Sequence, residues 1–215
     1  MRNTPVIIFI NKMDREGQYA FDLLDELEQK LGIKVRPLTW PINIGANFKG
    51  VYNLYEKSLN LFSANKTKIE KEVVSVDIWS EELDKRVGER DANQLREDVE
   101  LIEGVYNDFD RAAYLSGEVA PVFFGSAVNN FGVQELLDTF TQIAPSTQKR
   151  QTDTRIVEPD EKKFSGFIFK IHANLDPKHR DRIAFLRICS GVFERNKFYK
   201  HVRLDKNVRF NNPYN

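Results

Sequence analysis

Two short apolar runs, "PVIIFI" at 5–10 and "VAPVFF" at 119–124, constrain this chain most, because each ends in a small polar loop and each leads into a helix-forming stretch. A run without alternation, rich in β-branched and aromatic residues, suits a strand buried on both faces of a parallel sheet. After the first run, "QYAFDLLDELEQKLG" places Ala20, Leu24, Leu27 and Leu31 at helical spacing, with Gly32 as its C-terminal cap. "KVRPLTW" at 34–40 reads as the next strand, which completes a βαβ unit. After the second run, "GVQELLDTFTQI" predicts a helix with Val133, Leu136, Leu137 and Phe140 on one face. All three strands are expected in one α/β sheet.

Residues 41–115 between these strands have another texture. "GVYNLYEKSLNLF" and "KIEKEVVSVDIW" alternate like strands, whereas "DANQLREDVELIEG" spaces Leu95, Val99 and Ile102 as a helix does. The stretch predicts an inserted surface subdomain, with Trp40 and Trp79 as its packing residues. Residues 146–163 are polar and aperiodic and read as a linker. From 164, "FSGFIFKI", "RIAFLRICSG" and "FYKHVRL" predict short strands of a second, incomplete antiparallel unit. The expected domains are therefore 1–145, the linker, and 164–215.

Composition excludes several classes. The 215 residues hold 32 basic and 32 acidic side chains, so net charge gives no reason to expect bulk attraction to nucleic acid or anionic lipid. A single cysteine, Cys189, rules out an internal disulfide framework and suits a reducing compartment. No apolar run reaches the length of a membrane span, and a cytoplasmic protein is expected. The three histidines, His172, His179 and His201, lack metal-ligand spacing, so no metal site is assigned.

The chemistry lies in the two loops. Asn11, Lys12 and Asp14 emerge at the carboxyl end of a strand, where doubly wound folds bind ligands. Guanine presents an N1–H and an exocyclic amino group side by side, and one carboxylate such as Asp14 can accept from both. Asn11 can serve the N7 and O6 edge, and the Lys12 stem can lie across the base while its ammonium stays in water. Ser126 and Ala127, in "FFGSA", are small enough to bring backbone N–H groups close to O6. "DPKHRDR" at 176–182 fits two readings, a loop whose exposed cations meet nucleic-acid phosphates or a self-satisfied charged turn.

With "NKMD" and "GSA" in hand, the chain resembles the translational GTPases. Its "LTWPINIGANFKGVYNLYE" insertion is similar to the subdomain that elongation factor G and its relatives carry between those motifs. "RQTDTR", "PVFFGSAVNNFGV" and "FSGFIFKIHANLDPKHRDRIAFLRICSG" are most similar to the release-factor branch, and the resemblance runs from about Thr4 to Asn215. It implies part of a P-loop GTPase domain with an inserted subdomain, followed by a partial β-barrel. It also implies GTP or GDP as ligand, magnesium in the complete enzyme, and the ribosome and class I release factors as partners. A phosphate-cradling G-x-x-x-x-G-K-[ST] loop is absent: Gly45 and Gly50 have the glycine spacing, but Val51 and Tyr52 follow. "DREG" at 14–17 overlaps the guanine loop and cannot also serve magnesium. The chain is thus expected to be a middle piece of a GTPase, with no catalytic residue of its own, and inactive alone. Elongation factor G-like and tetracycline-protection relatives, or a plain binding module, are the alternative readings.

Overall fold

The computed structural model describes residues 4–62, 73–173 and 182–210. The chain divides into two compact units at Ala144/Pro145.

In the first unit β1 (Ile8–Ile10), β7 (Val119–Phe124) and β2 (Lys34–Pro37) form one parallel sheet in the order β1-β7-β2, with Phe9 opposite Phe123 and Pro37 opposite Val122. Helix α1 (Ala20–Leu31) crosses between β1 and β2, burying Ala20 and Leu24. It ends where Gly32, at φ 65°, donates its N–H to Glu28, a left-handed cap open to a residue without Cβ. The central strand β7 is buried from Ala120 to Phe124, as its composition predicts. The expectation that β1 is buried on both faces is corrected: Ile8, Phe9 and Ile10 are only half-buried, because β1 has β7 as its one neighbour among the described residues.

"KVRPLTW" is not one strand. It breaks at Leu38, and β3 (Thr39–Ile42) belongs to a second, antiparallel sheet with β4 (Gly50–Asn53), β5 (Ser58–Leu61) and β6 (Val73–Ser75). Pro37 brings no N–H to a ladder. The Leu38 N–H then donates to Val122 at 2.9 Å, while its carbonyl accepts from Leu54 at 2.8 Å, so one residue hands the chain from sheet to sheet. Thr39 Oγ1 accepts the Phe124 N–H at 2.9 Å and ties the new sheet to the old.

The insertion is also not a separate surface body. Helices α2 (Glu81–Val87), α3 (Glu89–Val105) and α4 (Arg111–Ser116) precede β7, and α3 buries Ala92, Leu95, Val99 and Ile102 in the same core as Leu24, Val122 and Phe124. Trp40, 1% exposed, sits at the centre. Its ring lies 4.5 Å from Phe21 and 5.5 Å from Phe124, and its Nε1 donates to Asp98 Oδ2 on α3 at 2.8 Å. Ile42, Val51 and Leu59 of the second sheet share one core cluster with Val35, Val122 and Phe124 of the first. Trp79 departs from expectation: it is 59% exposed, held at the start of α2 by its N–H to Asp77 Oδ1.

Arg96 fastens the insertion. Its guanidinium donates to Ile78 and Ser80 carbonyls and bidentately to Asp84, both oxygens at 2.8 Å. The Arg96 hydrogen bond, against opposing burial, holds the Asp84 carboxyl below its ordinary value of 3.8. Its contribution to stability is therefore complete above that value and disappears as pH falls through the lower folded one. We expect Arg96→Gln to flatten the acid loss of stability, measured as urea midpoints from about pH 5 to about pH 2.5. An unchanged slope would show that this pair carries none of it.

Helix α5 (Val133–Ile143) turns Glu135, Thr139 and Ile143 inward, and its Leu137 and Phe140 are nearly half exposed. The periodicity locates an apolar face correctly but not what it faces. Asn60 of β5 donates to Glu135 Oε1 at 2.5 Å, so the polar side of α5 is the one docked on the insertion.

The second unit is antiparallel throughout its described residues: β8 (Arg150–Gln151) with β9 (Ile156–Val157), β10 (Ser165–Ala173) with β11 (Arg182–Ser190), and β12 (Phe198–His201) with β13 (Lys206–Arg209). The β8–β9 hairpin lies in the stretch read as linker, closed by Thr152, whose N–H and Oγ1 both donate to the Arg155 carbonyl. Phe193 stacks on Tyr199 at 5.2 Å, and Phe164 reaches the same ring at 4.6 Å. "FYKHVRL" ends as a strand at His201, whose Nδ1 accepts the Leu204 N–H. Most of "DPKHRDR" lies outside the described residues.

Candidate functional site

The two loops that leave β1 and β7 meet, because a parallel pair brings both carboxyl ends to one edge of the sheet. Gly125 N–H donates to the Ile10 carbonyl and Met13 N–H to the Gly125 carbonyl, both at 3.0 Å. Met13 is buried as a plug between the loops, which leaves its neighbours Lys12 and Asp14 on the outer side.

Asn11 is a strut. Its Oδ1 accepts from Lys12 N–H at 2.8 Å and from Ala127 N–H at 2.9 Å, across 116 positions of sequence. The oxygen being so engaged, only the Nδ2 hydrogens are left to donate outward. They suit an edge made of acceptors. Lys12 itself adopts φ 69°, an uncommon left-handed conformation for a side-chain-bearing residue, held by the Asn11 bond and by the Arg15 N–H to the Lys12 carbonyl.

Asp14 is half-buried at the junction. A hydrogen bond from Ser126 is the largest influence holding its carboxyl below the ordinary 3.8, with smaller help from Arg15 and Asn129 against the penalty of burial. Ser126 is 1% exposed, and Ala127 is exposed at the surface beside Asn11. The structure therefore brings Asn11, Lys12, Asp14, Ser126 and Ala127 into one constellation. Its groups are an ionised acceptor pair, an outward amide donor and an aliphatic stem ending in a cation.

Sequence reasoning missed Asn129. It ends the turn Ala127–Asn129 and donates from Nδ2 to Asp14 Oδ2 at 3.2 Å and to Ser126 Oγ at 2.8 Å. The available signal was "VNNFG": an Asn at 130 suited to the left-handed conformation it adopts, φ 52°, which turns 129 back toward the loop.

A cleft of about 320 Å³ adjoins the constellation on its Lys12 side, lined among others by Asn11, Lys12, Arg15, Glu16 and Ile44. Asp14, Ser126 and Ala127 do not line it. Among the described residues no group of three His, Cys, Asp or Glu could hold a metal. No helix among them is long and apolar enough to cross a membrane.

A family model described as elongation factor Tu GTP binding domain matches residues 1–146, and one described as elongation factor G domain 2 matches residues 163–215.

Proposed function

The chain belongs to the translational GTPases of the elongation factor Tu and elongation factor G family, and from that premise we propose that its Asn11–Asp14 and Ser126–Ala127 loops read guanine. The observation that carries the reading is the junction itself, Asn11 Oδ1 on Ala127 N–H beside an ionised Asp14. The donor set fits the base: Asp14 accepts from N1–H and the 2-amino group, the Asn11 amide and the Ala127 region face N7 and O6, and the Lys12 stem covers the ring. Adenine has no such donor pair, and it leaves Asp14 unsatisfied.

The parent activity we infer is that of peptide chain release factor 3. This is a ribosome-dependent GTPase of termination that promotes release and recycling of class I release factors in the cytoplasm. Support comes from the "FSGFIFKIHANLDPKHRDRIAFLRICSG" stretch and its place at the start of the second unit. A reconstituted termination complex tests it: GTP-dependent departure of a bound class I release factor is expected, and translocation in its place would favour the elongation factor G-like alternative.

Phosphate and magnesium contacts fall, in this reading, to residues outside these 215, since no G-x-x-x-x-G-K-[ST] loop is among them. The hydrogen bonds of a base contribute about 1 kcal/mol each, against at least ~4 kcal/mol for immobilising a ligand. The chain should accordingly bind GTP and GDP alike with a dissociation constant weaker than about 1 μM, and hydrolyse neither. Calorimetry decides: tighter binding, preference for GTP over GDP, or magnesium-dependent phosphate release would overturn this division of labour.

A further inference from the structure

Resting on the guanine reading, we propose that Asn129 is a positioning residue for base specificity, holding the Asp14 carboxylate in the orientation that meets the base. An asparagine amide has two N–H donors, and both are engaged here, one on Asp14 Oδ2 at 3.2 Å and one on Ser126 Oγ at 2.8 Å. Asn129 thus bridges Asp14 and Ser126, the residue with the largest influence lowering that carboxyl. The bridge places a fixed donor on Asp14 Oδ2 and limits the rotation of the carboxylate, whose other acceptor positions meet the base in this reading.

The backbone makes Asn129 suitable for this task. Its N–H donates to the Ser126 carbonyl at 3.1 Å, Asn130 turns left-handed, and Ser126 and Phe131 exchange two backbone hydrogen bonds at 3.0 Å each. The turn is therefore fixed at both ends, and Asn129 is half-buried beside Asp14 and Ser126. An alanine at 129 leaves the turn its backbone bonds but gives Asp14 one donor fewer and Ser126 a hydroxyl free to rotate.

The test compares guanosine and inosine monophosphates on the 215-residue chain by ligand-observed NMR. Inosine lacks the 2-amino group, so the affinity ratio reads the second bond to Asp14. Asn129→Ala is expected to reduce that ratio about threefold to tenfold. In the same variant the Asp14 carboxyl, followed by carbon NMR without ligand, should titrate at higher pH than in the parent chain. Arg15 is untouched in both. If Asn129→Ala does not fold, Asn129→Ser, which is too short to reach both partners, carries the same expectation. Asp14→Asn is run beside them. A ratio that changes in Asp14→Asn but not in the Asn129 variants overturns this inference alone, as does an Asp14 titration that stays in place. A ratio unchanged even in Asp14→Asn overturns the guanine reading and this inference with it.

Discussion

Asp14→Asn is expected to move the base preference of the chain from guanine toward xanthine. Guanine offers two donors to the parent carboxylate. An amide keeps one acceptor and gains one donor, which matches the N1–H and 2-carbonyl of xanthine and opposes the 2-amino group of guanine. Asn129 Nδ2 donates to the Oδ2 position. It favours the rotamer in which the new amide oxygen, not its nitrogen, faces Asn129. Hydrogen bonds to a charged group contribute about 1.5–3 kcal/mol, and a donor set against a donor forfeits that and adds repulsion. The guanosine-to-xanthosine affinity ratio should fall by about 10- to 100-fold. Competition measured by ligand-observed NMR at millimolar nucleotide suits the weak binding expected of these residues. An unchanged ratio would remove Asp14 from base recognition, and with it the functional reading of the loop.

What was legible in the sequence and what was not divides along a physical line. Strand-end loops are local objects: "NKMD" and "GSA" each follow an apolar, strand-forming run, although only the second run is fully buried. A parallel pair of such strands then has to bring the loops together, and it does, with Ala127 on Asn11. Helix ends were equally legible, since Gly32 caps α1 in the conformation only glycine adopts without cost. Long-range choices were not legible. Nothing local says that the chain leaves one sheet for another at Leu38, because the acceptor it finds there, Val122, lies far downstream. Likewise, Trp40 and Trp79 each end a run that reads as a strand, yet one finds α1, α3 and β7 around it and the other faces solvent. Asn129 is the instructive omission. Its role is a pair of side-chain hydrogen bonds, one of them to a residue 115 positions away, which no periodicity encodes.

Gly125 is where the fold and the site depend on one atom, and Gly125→Ala should damage both. A Cβ at this position would fall on the Phe131 carbonyl oxygen, 2.8 Å from a ring carbon of Phe9 and 3.1 Å from the Gly132 Cα. Two of these three obstacles are backbone, Phe131 and Gly132 of the turn that follows, so the Phe9 ring end alone cannot give relief by yielding. Relief has to come from opening that turn. That movement stretches the backbone bonds between Ser126 and Phe131 and shifts Gly125 against its partners Ile10 and Met13. Overpacking of this kind costs about 2 kcal/mol or more, which for a chain of this size lowers the thermal midpoint of the first unit by roughly 4–8 °C. The same displacement separates Ala127 from Asn11 and Ser126 from Asp14, so guanine selectivity should fall in the fraction that remains folded. Differential scanning calorimetry together with the guanosine-to-adenosine affinity ratio reads both effects. A variant that melts with the parent and keeps its selectivity would mean that the loops tolerate a wider gap than their hydrogen bonds allow.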